Sequence, residues 1–289
     1  MTNLTPVNPG NYVRRRLFSG FMDLVCTLAA FIGIVFLALI LYTLVQKGVS
    51  GLSPRVFTEP MRTENGGLAN AIVGTLIQTG IGIALGAPLG MAVGVYLAEV
   101  GRGSKFASVV RFVNDILLSA PSVLVGLFVY QIIVVPTQGF SGMAGAFALA
   151  LLAMPVIART TEDIIKLVPD SYREGSVALG ARDSTTISRV VVPAAFGGIL
   201  TGILLAVARI SGETAPLLFT SFGNWGWSHS VTDGGMASLP WAIYTFAKYP
   251  STELNNLAWA GALIITAGVL LLNIGSRVSH YLVSRGAER

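Results

Sequence analysis

Long uncharged runs alternate with short charged segments along this chain, and the runs are long enough to predict membrane helices. The first, Leu24 to Val45, follows Arg14-Arg15-Arg16, and its length meets the roughly 20 apolar residues that a helix needs to cross a bilayer. A cleavable signal peptide fits less well, because the run exceeds a signal core and no Ala-x-Ala site follows. The second run, Gly66 to Ala98, places Gly82, Gly86, Gly90 and Gly94 at every fourth position, a smooth stripe suited to close helix contact. Pro88 should kink that helix. The third run, Phe106 to Val135, should break or kink at Ser119-Ala120-Pro121-Ser122, and the fourth covers Met143 to Ala158. A fifth run, Ala194 to Ser221, and a sixth, Leu254 to Ser276, complete the pattern.

The prediction is therefore an all-α membrane protein with six transmembrane helices, at about 21–45, 69–98, 106–135, 143–158, 194–221 and 254–276. A polar tail, 1–20, precedes a single membrane domain, 21–285. The external segment Phe222 to Glu253 carries Trp225, Trp227, Trp241 and Tyr244, which suit an interfacial aromatic belt, with a binding surface as the alternative.

The charged stretch 159–193 stands between two apolar runs and should lie outside the bilayer. Within it, Ser171-Tyr172-Arg173-Glu174 has the spacing of a capping box, in which Ser171 accepts from the Glu174 amide and the Glu174 carboxylate reaches back. Pro169 stops any incoming helix and Gly180 suits a left-handed C-terminal position, so a helix of about two turns is expected, with Tyr172, Ser176 and Leu179 on one face. A second helix should start at Asp183 or Ser184 and lead through Val190-Val191-Val192-Pro193 toward the membrane.

Composition agrees with a membrane protein: 53% of residues are hydrophobic and 11% charged, against about 25% charged in soluble domains. Cys26 is the sole cysteine, so neither an internal disulfide nor a cysteine-type metal site is available, and no metal centre is evident. The net charge of +5 is topological. Arg14, Arg15, Arg16, Arg102, Lys105, Arg111, Arg159, Lys166, Arg173, Arg182, Arg189, Arg277, Arg285 and Arg289 fall on one side, and only Lys47, Arg55, Arg62 and Lys248 on the other. Fourteen against four places both termini and the 159–193 loop in the cytoplasm.

Arg209 is left over, near the middle of the fifth run. An arginine there costs about 2.5–3.5 kcal/mol on insertion scales and should face a bundle interior or a wet cavity. Glu213, one helical turn on, can pair with it, which would make the two a structural ion pair. The alternative is functional: a permanently charged, forked guanidinium suits a tetrahedral oxyanion, with Ser211 and Thr214 adding neutral hydrogen bonds.

The 159–193 loop resembles the EAA loop of bacterial ABC importer permeases, with Glu174-Gly175-Ser176 in the place of Glu-Ala-Ala, then Gly180, then Val190-Val191-Val192-Pro193 in the place of Ile-x-Leu-Pro. In that family the short helix docks in a groove of a separate ATPase subunit, which gives coupling roles to Ser171, Glu174, Gly175, Ser176, Gly180 and Pro193. An ordinary connecting hairpin is the bland alternative.

Three further stretches, Phe112 to Ser122, Ala208 to Phe219 and Leu257 to Gly261, are similar to the PstA-type permeases of high-affinity phosphate ABC importers, a likeness running from about Phe57 to Asn273. The resemblance implies that Arg209, and Glu213 with it, serve a phosphate path. It implies a heterodimer with a PstC-type permease, two PstB-type ATPases below and a periplasmic phosphate-binding protein above, in a bacterial inner membrane. ATP and Mg would be used by the ATPases. This chain is expected to bind no cofactor, to catalyse no reaction of its own and to contact no nucleic acid.

The residues add that this chain has no P-loop, because none of Lys47, Lys105, Lys166 or Lys248 follows a glycine. Energy must come from a partner or an ion gradient, so an ion-coupled secondary transporter using Glu213 or Asp115 is the first alternative. An intramembrane enzyme acting on a lipid phosphate is the second, and it lacks a nucleophile-base pair within the spans.

Overall fold

The computed structural model describes the backbone of residues 9–287 and the side chains of 12–275. Regular structure among the described residues is helical, with isolated bridges at Ser141–Gly234 and Phe222–Met236. The chain forms two units, Met1–Lys47 and Gly48–Arg289. The first consists of most of helix α1, Pro9–Gly51, whose hydrophobic side chains such as Phe31, Ile34, Phe36 and Ile40 are exposed within the chain. A helix apolar on every side belongs in lipid or against another apolar surface. Because α1 begins at Pro9, Arg14-Arg15-Arg16 is helical rather than part of an irregular tail.

In the second unit a short helix α2, Pro54–Thr58, precedes α3, Ala69–Val100, which runs through Pro88 and ends in a widened π turn at Tyr96–Val100. Beside α3 lies α4 in chain order, Lys105–Ser119, followed by α5, Ser122–Thr137, bent from it by 103°. The break sits where the sequence places it. Ala120 precedes Pro121, whose ring drives the preceding residue out of the helical region, and Ala120 accordingly has φ −65°, ψ 136°.

Helix α6, Gly142–Lys166, is the most buried of the long helices and is rich in small residues, Ala144, Ala146, Ala148, Ala150, Ala153 and Ala158. Along it run the four α3 glycines. A methyl group added at Gly86 would come within 2.9 Å of the Ala150 carbonyl oxygen, at Gly90 within 2.7 Å of that of Met154, and at Gly94 within 2.6 Å of that of Ala158. The stripe thus lets two backbones meet without intervening side chains.

After the charged loop, α8 runs unbroken over Asp183–Ile210, with α7 defined below; the expected hairpin arm and fifth span form one helix. Pro193 is accommodated because Ile187–Val191 is a π turn in which the Val192 amide donates to the Ile187 carbonyl. A second π turn, Tyr130–Val134, precedes Pro136 in the same way. Widening the turn moves the preceding carbonyls away from the proline ring that would otherwise clash with them.

The end away from the charged loop is closed by α10, Leu239–Phe246, and by the start of α11, Thr252–Ala287. Their cluster contains Val56, Met61, Leu68, Trp241, Phe246 and Leu254. Here the aromatic-belt expectation is corrected. Trp241 is buried and Trp225 packs against Phe246 and Tyr249, ring centroids 5.4 and 5.7 Å away, because the external segment folds back as a cap with its own core. Trp227 and Tyr244 remain exposed. Asn70 ties this cap to α3: its Oδ1 accepts from the Met61 amide and its Nδ2 donates to the carbonyls of Asn224, Trp225 and Gly226.

The stripe makes a contrast testable on one helix. Gly90→Ala should lower the melting temperature of the detergent-solubilised protein, at about 1–3 kcal/mol for an overpacked contact. Gly80→Ala, whose methyl would meet nothing within 4 Å, should leave it unchanged or raise it, since alanine favours the helix.

Candidate functional site: the charged loop and the interrupted helix

The charged loop folds around α7, Asp170–Ala178. Pro169 is its N-cap residue, with φ −58°, ψ 142°, and no side chain caps the first turn. The expected capping box is therefore absent. The helix starts one residue early, so Ser171 already has helical geometry, whereas a capping hydroxyl must come from the extended residue before the helix. Asp170 supplies the acidic group of the first turn instead.

The C-terminal end matches expectation. Gly180 has φ +81°, the Gly180 amide donates to the Val177 carbonyl at 2.8 Å, and the Ala181 amide to the Ser176 carbonyl at 3.2 Å. This paired closure is the Schellman motif, which needs a residue free to adopt the left-handed conformation. Ser176 is buried, its Oγ 2.8 Å from Thr186 Oγ1, so it fastens α7 to the first turn of α8.

Outward, α7 presents a different chemistry. Glu174 and Gly175 are exposed, and a methyl group on Gly175 would meet nothing. Leu179 is 90% exposed with Tyr172 in the same groove, and Leu167 and Val177 are exposed on the neighbouring surfaces of the loop. An open groove of about 460 Å³ is lined by Ser171, Tyr172, Gly175, Ser176, Leu179 and Val190. Aliphatic side chains this exposed on a charged loop form a surface suited to another apolar surface. Pro193 is exposed on α8, away from any cap.

Two ionic clusters anchor the loop from beneath, and sequence reasoning missed both. Arg173 donates from Nη2 to Glu99 Oε1 at 2.6 Å and from Nε to both Glu99 oxygens at 3.2 Å. It also donates to the Val168 and Ile165 carbonyls at 2.7 and 3.2 Å and to Asp170 Oδ1 at 3.1 Å. The Glu99 carboxylate raises the Arg173 pKa still further above its ordinary high value. Further in, buried Glu162 accepts from Arg111 Nε at 2.7 Å and from Lys166 Nζ at 2.5 Å, while Arg111 Nη2 reaches the Leu97 carbonyl at 2.8 Å. Only the Glu162–Lys166 spacing, one helical turn, is visible locally.

The second candidate region is the end of α8. The helix stops at Ile210, and Gly212 and Glu213 turn back with amides donating to the Arg209 and Ile210 carbonyls at 3.3 and 3.2 Å. A short helix α9, Ala215–Thr220, then begins. The cause is Pro216, which has no amide to bond four residues back and whose ring would strike the Gly212 carbonyl of a continuous helix. The expected pairing of Arg209 with Glu213 needed that continuous helix. Among the described residues no ion pair joins them: Arg209 is exposed and Glu213 half-buried. The Ser211 hydroxyl donates to the Ala208 carbonyl at 3.0 Å, and Thr214 stands at the N-cap of α9 without a capping bond.

The two helix interruptions are neighbours. Leu118 and Val125, on either side of the α4–α5 break, share one apolar cluster with Ile210 and Leu217, on either side of the α8–α9 break. A methyl group on Gly126 would come within 2.6 Å of the Pro216 Cα, so α5 rests on the start of α9. Interrupted helices inside a membrane are tolerated where they line a cavity or pathway, and an unpaired, exposed guanidinium beside them is a donor set for an oxyanion.

Comparison with known proteins fixes the lineage. The family described as "Binding-protein-dependent transport system inner membrane component" matches residues 86–289. The phosphate transport system permease protein PstA of Yersinia pestis is 54% identical over 249 residues, covering 85% of this chain and 84% of its own length. The corresponding protein of Haemophilus influenzae is 51% identical, covering 87% and 89%. The chain belongs to the PstA permease family. In fold, an inward-facing MetNI methionine ABC transporter chain is similar at TM-score 0.63 and 20% identity, over 75% of this chain and 95% of that one. This PstA-type chain accordingly has the ABC importer permease architecture, as an inner membrane multi-pass protein.

The closure of α7 predicts a graded mutational response. Gly180→Val should strain the left-handed turn by about 1–2 kcal/mol and accelerate tryptic cleavage after exposed Arg182 in membranes. Gly180→Asn, which tolerates that conformation, should be cleaved at close to the native rate.

Proposed function

We propose that this chain is the permease subunit through which inorganic phosphate passes from the periplasm to the cytoplasm, driven by ATP that separate subunits hydrolyse. The observation that carries the reading is the 54% identity, over most of both chains, to a phosphate transport system permease. The exposed face of α7 supports it, since this is the surface a coupling helix offers to an ATPase groove. Glu174, Gly175 and Ser171 lie on the contact side, Ser176 and Gly180 set the loop's shape, and Pro193 lies within α8 after its π turn.

In this reading the chain pairs with a PstC-type permease above two PstB-type ATPases, which bind ATP and Mg, and receives phosphate from a periplasmic binding protein. Alternating access then follows from linkage: nucleotide favours one arrangement of the permeases, and phosphate binds that arrangement differently from the other. Arg209 offers forked, charge-assisted hydrogen bonds to the travelling anion, and Thr214 a neutral donor. Ser211, whose hydroxyl donates internally, offers a lone pair to a protonated phosphate oxygen. Glu213 beside them repels a doubly charged anion and accepts from a protonated one.

Orientation enters the proposal through the basic-residue count. Five helices among the described residues are long and apolar enough to cross; with the bent α4–α5 pair read as a sixth crossing, both termini face the same side, and the basic-residue count favours the cytoplasm for that side. After Cys26→Ser, a cysteine replacing exposed His229 should react with an impermeant maleimide added to intact spheroplasts, and one replacing exposed Gly175 should not. Labelling at position 175 from outside would reverse the orientation.

Because Arg209 has no ion-pair partner among the described residues, Arg209→Gln strands no opposite charge there, so the complex should assemble normally and lose phosphate uptake. Arg209→Lys keeps the charge without the fork and should also be badly impaired. Near-native uptake by Arg209→Gln would remove Arg209 from the phosphate path.

A further inference from the structure

Arg173 stands one residue before the exposed Glu174 and points the other way, into the protein. The Arg173 side chain is 14% exposed and that of Glu99 8%. Five acceptors surround it: the two Glu99 oxygens at the end of α3, the Ile165 carbonyl in the last turn of α6, the Val168 carbonyl in the connector that follows, and Asp170 on α7 itself. The Ile165 carbonyl belongs to the negative end of the α6 dipole, where a cation is favoured. Arg102 adds a weaker link, 3.5 Å from Glu99 and 4.0 Å from Asp170, and lies half in solvent.

We propose that the Arg173–Glu99 pair is the mechanical joint of the coupling helix: it transmits displacement of α7 to α3 and α6 as one body. The inference rests on the functional reading above and extends it by naming the route of the force. The covalent connections of α7 lead only to α6 and α8. Residues 179–182 toward α8 contain the glycine turn, and residues 167–169 toward α6 contain no helical hydrogen bonding beyond two turn contacts. Such connectors bend. The guanidinium, by contrast, is held in a forked geometry at several points and cannot pivot without breaking charge-assisted bonds in a poorly hydrated site. Beyond the joint, the backbones of α3 and α6 touch along the stripe from Gly82 to Gly94, so a push on Glu99 moves both helices. Arg173 and Glu99 are positioning residues: neither lies in the phosphate path, and they act through the helices they join.

The test uses the reconstituted complex of both permeases, the ATPases and the phosphate-loaded binding protein. Wild type must first show stimulation of ATP hydrolysis by that loaded protein; if it does not, the functional reading fails before the joint is in question. The double variant Glu99→Gln/Arg173→Gln strands no buried charge, so it should assemble and keep the basal hydrolysis rate, but lose stimulation and phosphate uptake together. Asp170→Asn, which touches only the 72% exposed contact, should keep both. Wild-type stimulation in the double variant would overturn the joint, and so would failure of the double variant to assemble, because the pair would then be a brace for the fold. Arg173→Lys should fall between the two, since it keeps one charged contact and loses the fork.

Discussion

Backbone-to-backbone contact between α3 and α6 is the constraint on which the rest of this molecule depends. Between lipid-bathed helices, apolar burial contributes no net drive for association, so close packing and interhelical hydrogen bonds must supply it. Gly82, Gly86, Gly90 and Gly94 remove the side chains that would hold the helices apart, and the alanines of α6 present a matching surface. Once these helices are one unit, the ends of each become fixed points. Glu99 and Ile165 are then close enough to share Arg173, and Leu97 and Glu162 to share Arg111. At the opposite end Asn70 and Gln78 on α3 hold the cap through its carbonyls.

Around this pair the chain breaks helices where proline requires it. Pro121 and Pro216 terminate regular structure outright, while Pro136 and Pro193 follow π turns and leave it continuous. The difference is what precedes them: a widened turn moves the carbonyls that the ring would strike, whereas no such turn precedes Pro121 or Pro216. The two outright breaks meet in one apolar cluster that includes Ile210, the residue after Arg209.

Much of this was legible in the sequence, and the exceptions share a cause. Uncharged runs, the glycine stripe, the break before Ser122 and the left-handed Gly180 depend on a few neighbouring residues, and all appear in the structure. The capping box failed although its spacing was right, because Pro169 starts the helix one position early and the competition is decided by backbone geometry rather than by residue types. The Arg209–Glu213 pair failed because the i, i+4 rule assumed a helix that Gly212 and Pro216 do not permit, a signal present in the sequence and outweighed by the apolar length of the run. Trp225 and Trp241 looked interfacial because burial by a folded-back cap is invisible to local pattern. Arg173 and Glu99 are 74 residues apart, and Arg173 was read only as one of fourteen basic residues on the cytoplasmic side.

The central claim, that this permease moves phosphate on energy supplied by separate ATPases, is tested most directly by phosphate uptake into proteoliposomes holding the full complex, with the loaded binding protein outside and ATP inside. Accumulation should require ATP and persist when ionophores dissipate every ion gradient. Uptake that proceeds without ATP and collapses with the gradient would contradict the account and make Glu213 or Asp115 part of an ion-coupled carrier.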